Sequence, residues 1–302
     1  MNLFPHNARV CFLGDSITHN NEYVSRICAY YHDNLYDRKV KFFNGGTSGG
    51  SINTIFANFD TDVVAHKPTH AVIMIGINDS WRTALSDLPR GIERYERLKT
   101  AYENYKRNVH KLCTMLKENG IEIILCTPTP YDEYQQSETP ALKGGFALLA
   151  EYACFIRKYA SENGIALCDY HEYISKISQI ESVINGDRVH PNPLGHYHMA
   201  KCFLAFQGVE IGDYAPIPSY LDGWKEVVLK LRNIRAAEHM VISDYSLSTN
   251  ERIEKAKAYL ESGGSGEHRD YFLLLAKQYL ENKPVQDELE AKANALMDEL
   301  YN

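Results

Sequence analysis

The sequence lacks any long apolar run and any excess of positive charge. Its longest apolar stretches, such as residues 71–75 and 123–126, are far shorter than the roughly 20 residues that a membrane helix needs. Asp and Glu total 39 against 32 Lys and Arg, so the formal charge is −7. Because nucleic acids and anionic lipids are bound by a surplus of basic side chains, we expect neither a nucleic-acid partner nor a membrane partner.

Closely spaced cysteine pairs are missing as well, and we expect no leader segment. The seven cysteines form no C-x-x-C pair, and Cys11, Cys126 and Cys168 fall in or beside predicted strands. This pattern favours reduced, buried thiols over a disulfide framework or a metal site. The first five residues have neither the basic start nor the long apolar stretch of a signal peptide. We therefore predict a cytoplasmic protein.

The chain does contain alternating strand and helix patterns. With 302 residues, 44% of them hydrophobic, it can fill a large core. Short apolar runs predict five strands, at residues 8–13, 40–43, 70–75, 121–126 and 165–168. Three- and four-residue apolar spacing predicts helices between and after them, at residues 22–36, 52–65, 94–118, 142–162 and 194–207. The alternation predicts a three-layer α/β/α domain, residues 1–208, with a five-stranded parallel sheet.

The pattern changes after Gln207. Glycines and prolines mark residues 209–220 as a connector, and no strand pattern follows it. Helical spacing recurs at residues 222–242, 249–261, 267–281 and 285–300, with a glycine-rich break at 263–266. We therefore predict an all-helical C-terminal extension, residues 221–302.

A serine stands where the first predicted strand ends. Residues 14–18 are Gly-Asp-Ser-Ile-Thr and follow directly on the strand at 8–13. Side chains at the carboxyl ends of parallel strands point into the crevice where α/β proteins bind ligands, so Ser16 lies where a nucleophile belongs. A serine after Gly-Asp is also a common helix cap, and the pentapeptide alone leaves that alternative open.

Two more predicted strands end in groups that can stabilise negative charge. The second runs into a glycine-rich segment, residues 44–51, that fits neither a P-loop nor a dinucleotide fingerprint. Its N–H groups can either donate to an oxyanion or merely form a tight turn. The third strand is followed by Asn78, whose neutral amide can donate to an alkoxide without competing for the proton of a base; a plain turn is the alternative.

An aspartate stands three residues before a histidine after the fifth predicted strand. This spacing lets the Asp187 carboxylate accept the Nδ1–H of His190, which leaves Nε2 free to act as a base. His190, His196 and His198 also raise the possibility of a metal site. However, His196 and His198 fall in a predicted helix, where residues two apart point away from each other, and we predict no metal.

Taken together, these segments resemble the SGNH hydrolases, also called the GDSL esterase and lipase family. The resemblance covers about residues 8–207. It is carried by Gly14-Asp15-Ser16, Asn44-x-Gly46, Gly76-x-Asn78-Asp79 and Asp187-x-x-His190.

The resemblance implies a flavodoxin-like sheet and a site without metal or organic cofactor. Ser16 would be the nucleophile, His190 the base and Asp187 its orienting partner. The oxyanion hole would consist of the backbone N–H groups of Ser16 and Gly46 and the side-chain amide of Asn78.

Two positions depart from the family pattern. Many members carry glycine two residues after the Thr of the first motif, where this chain has Asn20. Because Asn tolerates left-handed dihedral angles, we expect the turn to be kept. The second motif contains an added glycine, Gly45, and the Asn-x-Gly spacing selects Gly46 as the N–H donor.

Four residues are predicted to contact the substrate. Asp15 and His19 lie beside the nucleophile, Trp81 follows the third strand, and Tyr131 follows the fourth. Tyr131, or its neighbour Tyr134, would stack on a sugar ring. A core tryptophan and a loop tyrosine without a ligand are the alternatives.

These observations predict a serine esterase that hydrolyses small-acyl esters, acetyl esters of carbohydrates above all, through an acyl-enzyme. The absence of a long apolar lid argues against a lipase that acts at an interface. The first alternative is a lysophospholipase or thioesterase of the same family. The second is a non-catalytic carbohydrate-binding or assembly protein. Whichever function applies, the helical extension could mediate a homo-oligomer or cover the site.

Overall fold

A computed structural model describes residues 3–81, 91–241, 249–264 and 269–302. One sheet of five parallel strands has the order β2-β1-β3-β4-β5. The strands are β1 (Arg9–Gly14), β2 (Lys41–Gly46), β3 (His70–Met74), β4 (Glu122–Cys126) and β5 (Ala166–Cys168). This is the flavodoxin-like order, in which the strand sequence reverses next to β1. The predicted fold class is confirmed.

Helices cover both faces of the sheet. In the α/β part they are α1 (Ser16–His19), α2 (Glu22–Asn34), α3 (Ile52–Ala57), α4 (Phe59–Asp62), α5 (Ile77–Trp81), α6 (Ile92–Glu118), α7 (Gly145–Asn163), α8 (Tyr170–Ile177) and α9 (Pro193–Phe206). The C-terminal part contains α10 (Asp222–Val241), α11 (Thr249–Glu261) and α12 (Arg269–Glu299). Short 3₁₀ turns lie at Tyr36–Arg38, Val64–His66 and Ser219–Leu221.

Alternate residues of each strand serve two apolar cores, because successive side chains of a strand point to opposite faces. Val10 and Phe12 of β1 pack into a core with α2, α8 and α9. Cys11 and Leu13 pack into the other core with α3, α6 and α7. Both faces of the sheet are therefore buried, as its continuous apolar strands require.

The register brings three strand ends together. Gly14, the last residue of β1, lies opposite Gly46 of β2 and opposite Met74 of β3. The segments that follow these strands therefore meet at one edge of the sheet, next to the point where the strand order reverses. This is the crevice in which open α/β sheets bind ligands.

The C-terminal helices cover the edge strand β2. Trp224 and Leu231 of α10 and Met297 of α12 are buried in the same apolar core as Phe42 of β2. Beyond α12, the Tyr301 hydroxyl donates to the carbonyl oxygen of Val40 at 2.8 Å. The predicted helical extension is confirmed and packs on its own α/β domain, whereas the boundaries 1–208, 209–220 and 221–302 stay predictions.

The last helix differs from the sequence prediction. Two helices were expected, at residues 267–281 and 285–300, but α12 runs without interruption through Pro284. Proline removes one helical hydrogen bond and disfavours a straight helix. Packing outweighs this cost, because the first half of α12 packs on α11 through Tyr279 and the second half packs in the α10 core through Leu289.

The observed helices differ from the sequence prediction in other places as well. The expected helix at residues 52–65 is divided at Asn58, which ends α3 and begins α4 with φ −109°. Helix α8 was not predicted, although its start is marked in the sequence: Asp169 caps it by accepting from the Glu172 N–H. Within the described residues, no helix has the length and apolar character required to traverse a bilayer.

Candidate functional site

Three side chains that the sequence analysis singled out form one hydrogen-bonded row. The Oγ of Ser16 lies 2.7 Å from Nε2 of His190. On the other side of the ring, His190 Nδ1 lies 2.7 Å from Oδ2 of Asp187. An ionised carboxylate accepts the Nδ1 proton, so Nε2 is left as the acceptor for the serine hydroxyl.

Asp187 is held by its own loop, residues 184–191, which a backbone bridge between Ile184 and Pro191 closes. We call it the Asp187 loop. Within this loop, Oδ1 of Asp187 accepts hydrogen bonds from the backbone N–H groups of Val189 and His190, both at 2.9 Å. Partial burial raises the pKa of Asp187, but these N–H groups and the His190 side chain outweigh that effect and hold the pKa below its usual value. The carboxylate therefore stays ionised at neutral pH.

Arg188 fastens the Asp187 loop to the segment after β4. It has a left-handed backbone (φ 70°), and its buried guanidinium donates to the carbonyl oxygens of Gln135 at 2.7 Å and Thr139 at 2.8 Å. In return, the Asp132 N–H donates to the Arg188 carbonyl at 2.9 Å. Sequence reasoning did not identify this residue, because its partners are backbone groups about 50 positions away.

The segment after β2, residues 46–52, borders Ser16, and we call it the glycine loop. Nearly all backbone N–H groups of this loop donate hydrogen bonds. Thr47 donates to the Gly14 carbonyl at 3.0 Å, and Gly50 donates to the Thr47 carbonyl at 2.8 Å. The other acceptors are side-chain atoms: His19 Nδ1 for Ser48 (3.3 Å), Thr54 Oγ1 for Ser51 (3.1 Å) and Asp79 Oδ1 for Ile52 (3.2 Å). Gly49, at φ 70°, is different. Its N–H has no acceptor among the described residues.

Gly46 does not fit its predicted part as an oxyanion donor. Its N–H donates to Oδ1 of Asn44 at 2.8 Å, so that proton is already used. The residue is glycine for a steric reason, because a Cβ there would lie 2.3 Å from the backbone nitrogen of His19. Asn44 adds to this junction by donating from Nδ2 to the Thr18 carbonyl at 2.7 Å. The Asn-x-Gly motif therefore allows α1 to pack closely against the end of β2.

Two other predicted donors are placed differently from Gly46. Ser16 is the first residue of α1, and within the described residues its N–H has no acceptor. Asn78 uses Nδ2 to donate to the Gly50 carbonyl at 2.8 Å, which leaves the second proton of the amide for another acceptor. The structure therefore offers N–H donors at Ser16, Gly49 and Asn78 around one edge of the sheet.

Comparison with known proteins agrees with this arrangement. The model of the GDSL-like lipase/acylhydrolase family matches residues 12–197, which include all the segments described above. The chain belongs to this family. It is therefore a carboxylic ester hydrolase, as the sequence predicted.

Relatives in the GDSL-like family differ in how much of this chain they match. An acetylxylan esterase of Geobacillus stearothermophilus is 26% identical over 219 residues, which are 67% of this chain and 94% of that protein. A crystal structure of a catalytic mutant of Axe2, an acetylxylan esterase of the same organism, covers 70% of this chain and 99% of its own (24% identity, TM-score 0.58). In this mutant an aspartate is replaced by alanine; two further catalytic mutants replace a serine and a histidine.

One solved structure matches the whole chain, including the helical extension. It is a gut microbial diltiazem-metabolizing enzyme that covers 100% of this chain and 96% of its own, at 16% identity and a TM-score of 0.69. At this identity the likeness shows the fold alone. The fold of this structure thus extends over the whole chain, whereas that of Axe2 covers 70% of it.

The residues of this GDSL-like hydrolase that were predicted to contact substrate differ in their exposure to solvent. Asp15 is buried and accepts the Ile17 N–H at 3.0 Å, so it serves as the cap of α1. Burial raises the pKa of Asp15 to about 6, although the Ile17 N–H and the His190 charge lower it. Tyr131 is also buried, and its hydroxyl accepts the Leu142 N–H at 2.9 Å. Neither side chain is exposed to solvent, and the Tyr131 ring is therefore not available for stacking on a sugar.

Tyr134, the other tyrosine considered, is 82% exposed. It lies in the segment that Arg188 fastens to the Asp187 loop. Trp81 ends α5, but its side chain lies outside the described residues. Of the two tyrosines considered for stacking on a sugar ring, Tyr134 is the exposed one.

His19 has a structural position that the sequence analysis did not foresee. Its ring is largely buried, with Nδ1 accepting the Ser48 N–H and Nε2 lying 2.9 Å from Oδ1 of Asn233 in α10. Burial, followed by the charge of Arg232, lowers the pKa of His19. The neighbouring turn also differs: Asn20 is right-handed (φ −56°), and Asn21 takes the left-handed conformation (φ 65°).

The remaining histidines of the predicted cluster face different neighbours. His196 stacks on Tyr23 with ring centroids 6.3 Å apart, and His198 Nε2 lies 3.0 Å from Oε2 of Glu181. Among the described residues, no three Asp, Glu, His or Cys side chains form a group suited to a metal ion. The absence of a cofactor stays a prediction.

Proposed function

We propose that this hydrolase is a serine esterase that removes acetyl and other small acyl groups from carbohydrates. The observation that carries the proposal is the row Ser16, His190 and Asp187, joined by two contacts of 2.7 Å. The likeness to acetylxylan esterases supports the choice of acyl group and alcohol. The catalytic mutants of Axe2, which replace a serine, an aspartate and a histidine, support the choice of these residue types.

In the proposed mechanism Ser16 attacks the ester carbonyl carbon. His190 Nε2 accepts the hydroxyl proton as the new C–O bond forms, and the ring becomes an imidazolium. The ionised Asp187 stabilises that charge and keeps the ring in the required orientation. The negative charge moves to the carbonyl oxygen, which becomes an oxyanion.

The oxyanion accepts hydrogen bonds from the Ser16 N–H, the Gly49 N–H and the second Nδ2–H of Asn78. Gly49 replaces the predicted Gly46 because the Gly46 proton is already donated to Asn44. Donors fixed before the reaction are effective because they need no reorganisation as charge develops. When the oxyanion collapses, His190 gives its proton to the departing alcohol, and an acyl-enzyme remains.

Water completes the cycle by the same route. His190 accepts a proton from a water molecule, the resulting hydroxide adds to the acyl carbon, and collapse of the second oxyanion returns the proton to Ser16. The products are a carboxylic acid and the regenerated enzyme.

The exposure of the site supports the proposal that the alcohol part of the ester substrate is bulky and polar. The side chains of His190 and Asp187 are 41% and 47% exposed, so the row opens directly to solvent. Tyr134 offers an exposed ring near the Asp187 loop, and we assign it the stacking part that was predicted for Tyr131. A lysophospholipase or thioesterase remains the alternative within the family, and the cytoplasmic location and any homo-oligomer stay predictions.

The test is hydrolysis of p-nitrophenyl acetate, butyrate and octanoate and of acetylated xylo-oligosaccharides by wild type and Ser16→Ala. We expect the highest kcat/KM on the acetyl substrates and a loss of roughly 10⁴-fold or more in Ser16→Ala. Ser161→Ala, which changes an exposed serine near the end of α7, is the matched control and should behave as wild type.

Two results would contradict the proposal in different ways. Full activity of Ser16→Ala would exclude the serine mechanism. A serine-dependent preference for octanoate, with no release of acetate from the oligosaccharides, would exclude the substrate class and favour the lysophospholipase or thioesterase alternative.

A further inference from the structure

We propose that helix α10 of the C-terminal extension positions the glycine loop for catalysis, through Arg232 and Asn233. These two residues would be positioning residues, because Arg232 contacts the loop directly and Asn233 contacts it through His19, and neither is assigned a contact with the substrate. The inference rests on the proposed function, since it concerns the loop that carries the Gly49 donor. It gives the extension a part in the reaction besides its packing on β2.

Arg232 makes the closest connection between the extension and the loop. Its side chain is fully buried, and its Nε–H donates to the Gly46 carbonyl at 2.6 Å. Its Nη2 donates to Oγ1 of Thr47 at 2.8 Å. One planar guanidinium thus holds two consecutive residues at the start of the loop, which a single-point donor such as lysine could not do.

The same guanidinium is fixed from the opposite side. Nη1 and Nη2 of Arg232 donate to the two carboxylate oxygens of Asp62 at 2.8 and 2.9 Å. Asp62 is itself buried and also accepts from Arg235, which reaches on to Glu290 at 2.8 Å. A bidentate ion pair restrains the plane of the guanidinium, so the direction of the bonds to the loop is restrained with it.

Asn233 holds the next residue of the loop through His19. The Ser48 N–H donates to Nδ1 of His19 at 3.3 Å, so the ring carries its proton on Nε2. That Nε2–H donates to Oδ1 of Asn233 at 2.9 Å. Two neighbouring residues of α10 therefore fix Gly46, Thr47 and Ser48, and the free N–H of Gly49 follows directly.

The far end of the loop is held by the α/β domain itself. Asn78 donates to the Gly50 carbonyl, and Asp79 accepts the Ile52 N–H. Gly49 lies between this anchor and the α10 anchor, at a residue whose backbone has wide conformational freedom. Loss of either anchor would let the Gly49 N–H turn away from the oxyanion, and a displacement of about 1 Å is enough to cost roughly 100-fold in rate.

The test compares Arg232→Met with Arg235→Met. Both remove one buried arginine from Asp62 and leave the other in place, but Arg235 reaches to Gln286 and Glu290 rather than to the loop. We expect kcat on p-nitrophenyl acetate to fall roughly 10- to 100-fold in Arg232→Met with little change in KM, because the oxyanion forms only in the transition state. Arg235→Met should keep the kcat of wild type.

A second readout does not depend on activity. Hydrogen exchange of the peptide covering residues 44–54, measured by mass spectrometry, should be faster in Arg232→Met and unchanged in Arg235→Met. Asn233→Ala, which changes an exposed residue, provides the variant for the case that Arg232→Met does not fold. It should lower kcat about 2- to 10-fold, as expected for one lost hydrogen bond.

The outcomes separate this inference from the proposed function. Equal kcat in Arg232→Met and wild type, or an equal fall in both arginine variants, would overturn the inference while leaving the serine mechanism intact. Activity that survives Ser16→Ala would overturn the mechanism. In that case the exchange rate of residues 44–54 still decides whether α10 holds the loop, and unchanged exchange would overturn the inference as well.

Discussion

The Asp187 loop and the cluster around Asp62 hold their carboxylates in opposite ways. Asp187 is about half exposed and is bound by partners two and three residues away, the N–H groups of Val189 and His190. Asp62 is buried, and its partners Arg232 and Arg235 come from 170 and 173 residues further along the chain. One region is built by local sequence and the other by long-range packing.

The difference has an energetic consequence. An exposed carboxylate that accepts local N–H bonds contributes little to folding, and its geometry serves the histidine beside it. A buried carboxylate between two arginines has lost its water. Removal of the carboxylate leaves the buried charge of Arg232 without an anionic partner among the described residues, whereas Arg235 keeps Glu290. We therefore expect changes at Asp187 to affect the reaction and changes at Asp62 to affect folding.

The largest expected effect is that of Asp187→Asn on activity. The two backbone N–H groups would keep the amide oxygen at Oδ1 and turn the NH₂ towards His190 Nδ1. The ring would then carry its proton on Nε2, facing Ser16, and could no longer act as a base. Such a tautomer change costs roughly 10⁴-fold in kcat in serine proteases, and we expect a similar loss in ester hydrolysis here.

Asp132→Asn is the control for this prediction. Asp132 also accepts two N–H groups of its own loop, those of Tyr134 at 3.2 Å and Gln135 at 3.0 Å, but it has no histidine partner among the described residues. Its kcat should stay within a few-fold of wild type. If both variants lost activity equally, the effect would belong to the loops and not to the tautomer of His190.

The second expected effect is that of Asp62→Asn on stability. Removing one member of a buried charge cluster costs about 3 to 5 kcal/mol, which urea unfolding should report as a lower free energy of unfolding. The control is Glu172→Gln, which breaks the exposed pair with Lys176 at 2.5 Å and should cost less than about 1 kcal/mol. If Asp62→Asn lowered the free energy of unfolding no more than Glu172→Gln does, the expected difference between the buried cluster and an exposed carboxylate would be wrong.

The smallest expected effect concerns Asp79, which is partly buried and accepts the Ile52 N–H at 3.2 Å. Burial raises its pKa to about 7, although the Ile52 N–H lowers it, and the charge of Asp15 raises it further. Because the folded pKa exceeds the unfolded value, the folded state retains a proton that the unfolded state has lost. Stability therefore falls as pH rises from about 4 to about 7 and is constant above.

Asp79→Asn tests this direction because it cannot ionise. Relative to wild type, the variant should gain stability between pH 5 and pH 8, by a few kcal/mol at most. Urea unfolding of both proteins at pH 5, 6, 7 and 8 measures the gain. Parallel stability curves would mean that the Asp79 carboxyl does not titrate in this interval.

The sequence indicated the proposed reacting groups more completely than the residues that surround them. Ser16, Asn78 and the pair of Asp187 and His190 were identified because each lies just after a strand or within three residues of its partner. Gly46 was chosen as a donor from its spacing, but an unpaired N–H cannot be recognised from spacing. Only the hydrogen bonds of the folded loop distinguish Gly46 from Gly49.

Burial was the other property that the sequence did not provide. Tyr131 and Tyr134 follow the same strand and have the same chemistry, yet the first is buried against Gly145 and the second is 82% exposed. The two arginines of α10 resemble any solvated charges of an amphipathic helix until Asp62 is placed opposite them. Both distinctions depend on which segments meet across the fold.

By itself, the sequence determined the α/β class, the parallel sheet and the residues at its carboxyl edge, because strand periodicity and short motifs are local properties. Tertiary structure alone decided which glycine N–H is free, which tyrosine reaches solvent and that α10 lies behind the glycine loop. The physical reason is that the hydrogen bonds of a folded loop, the burial of one side chain and an ion pair between distant residues leave no periodic trace in the chain. Such contacts exist only once the hydrophobic cores have brought the segments together.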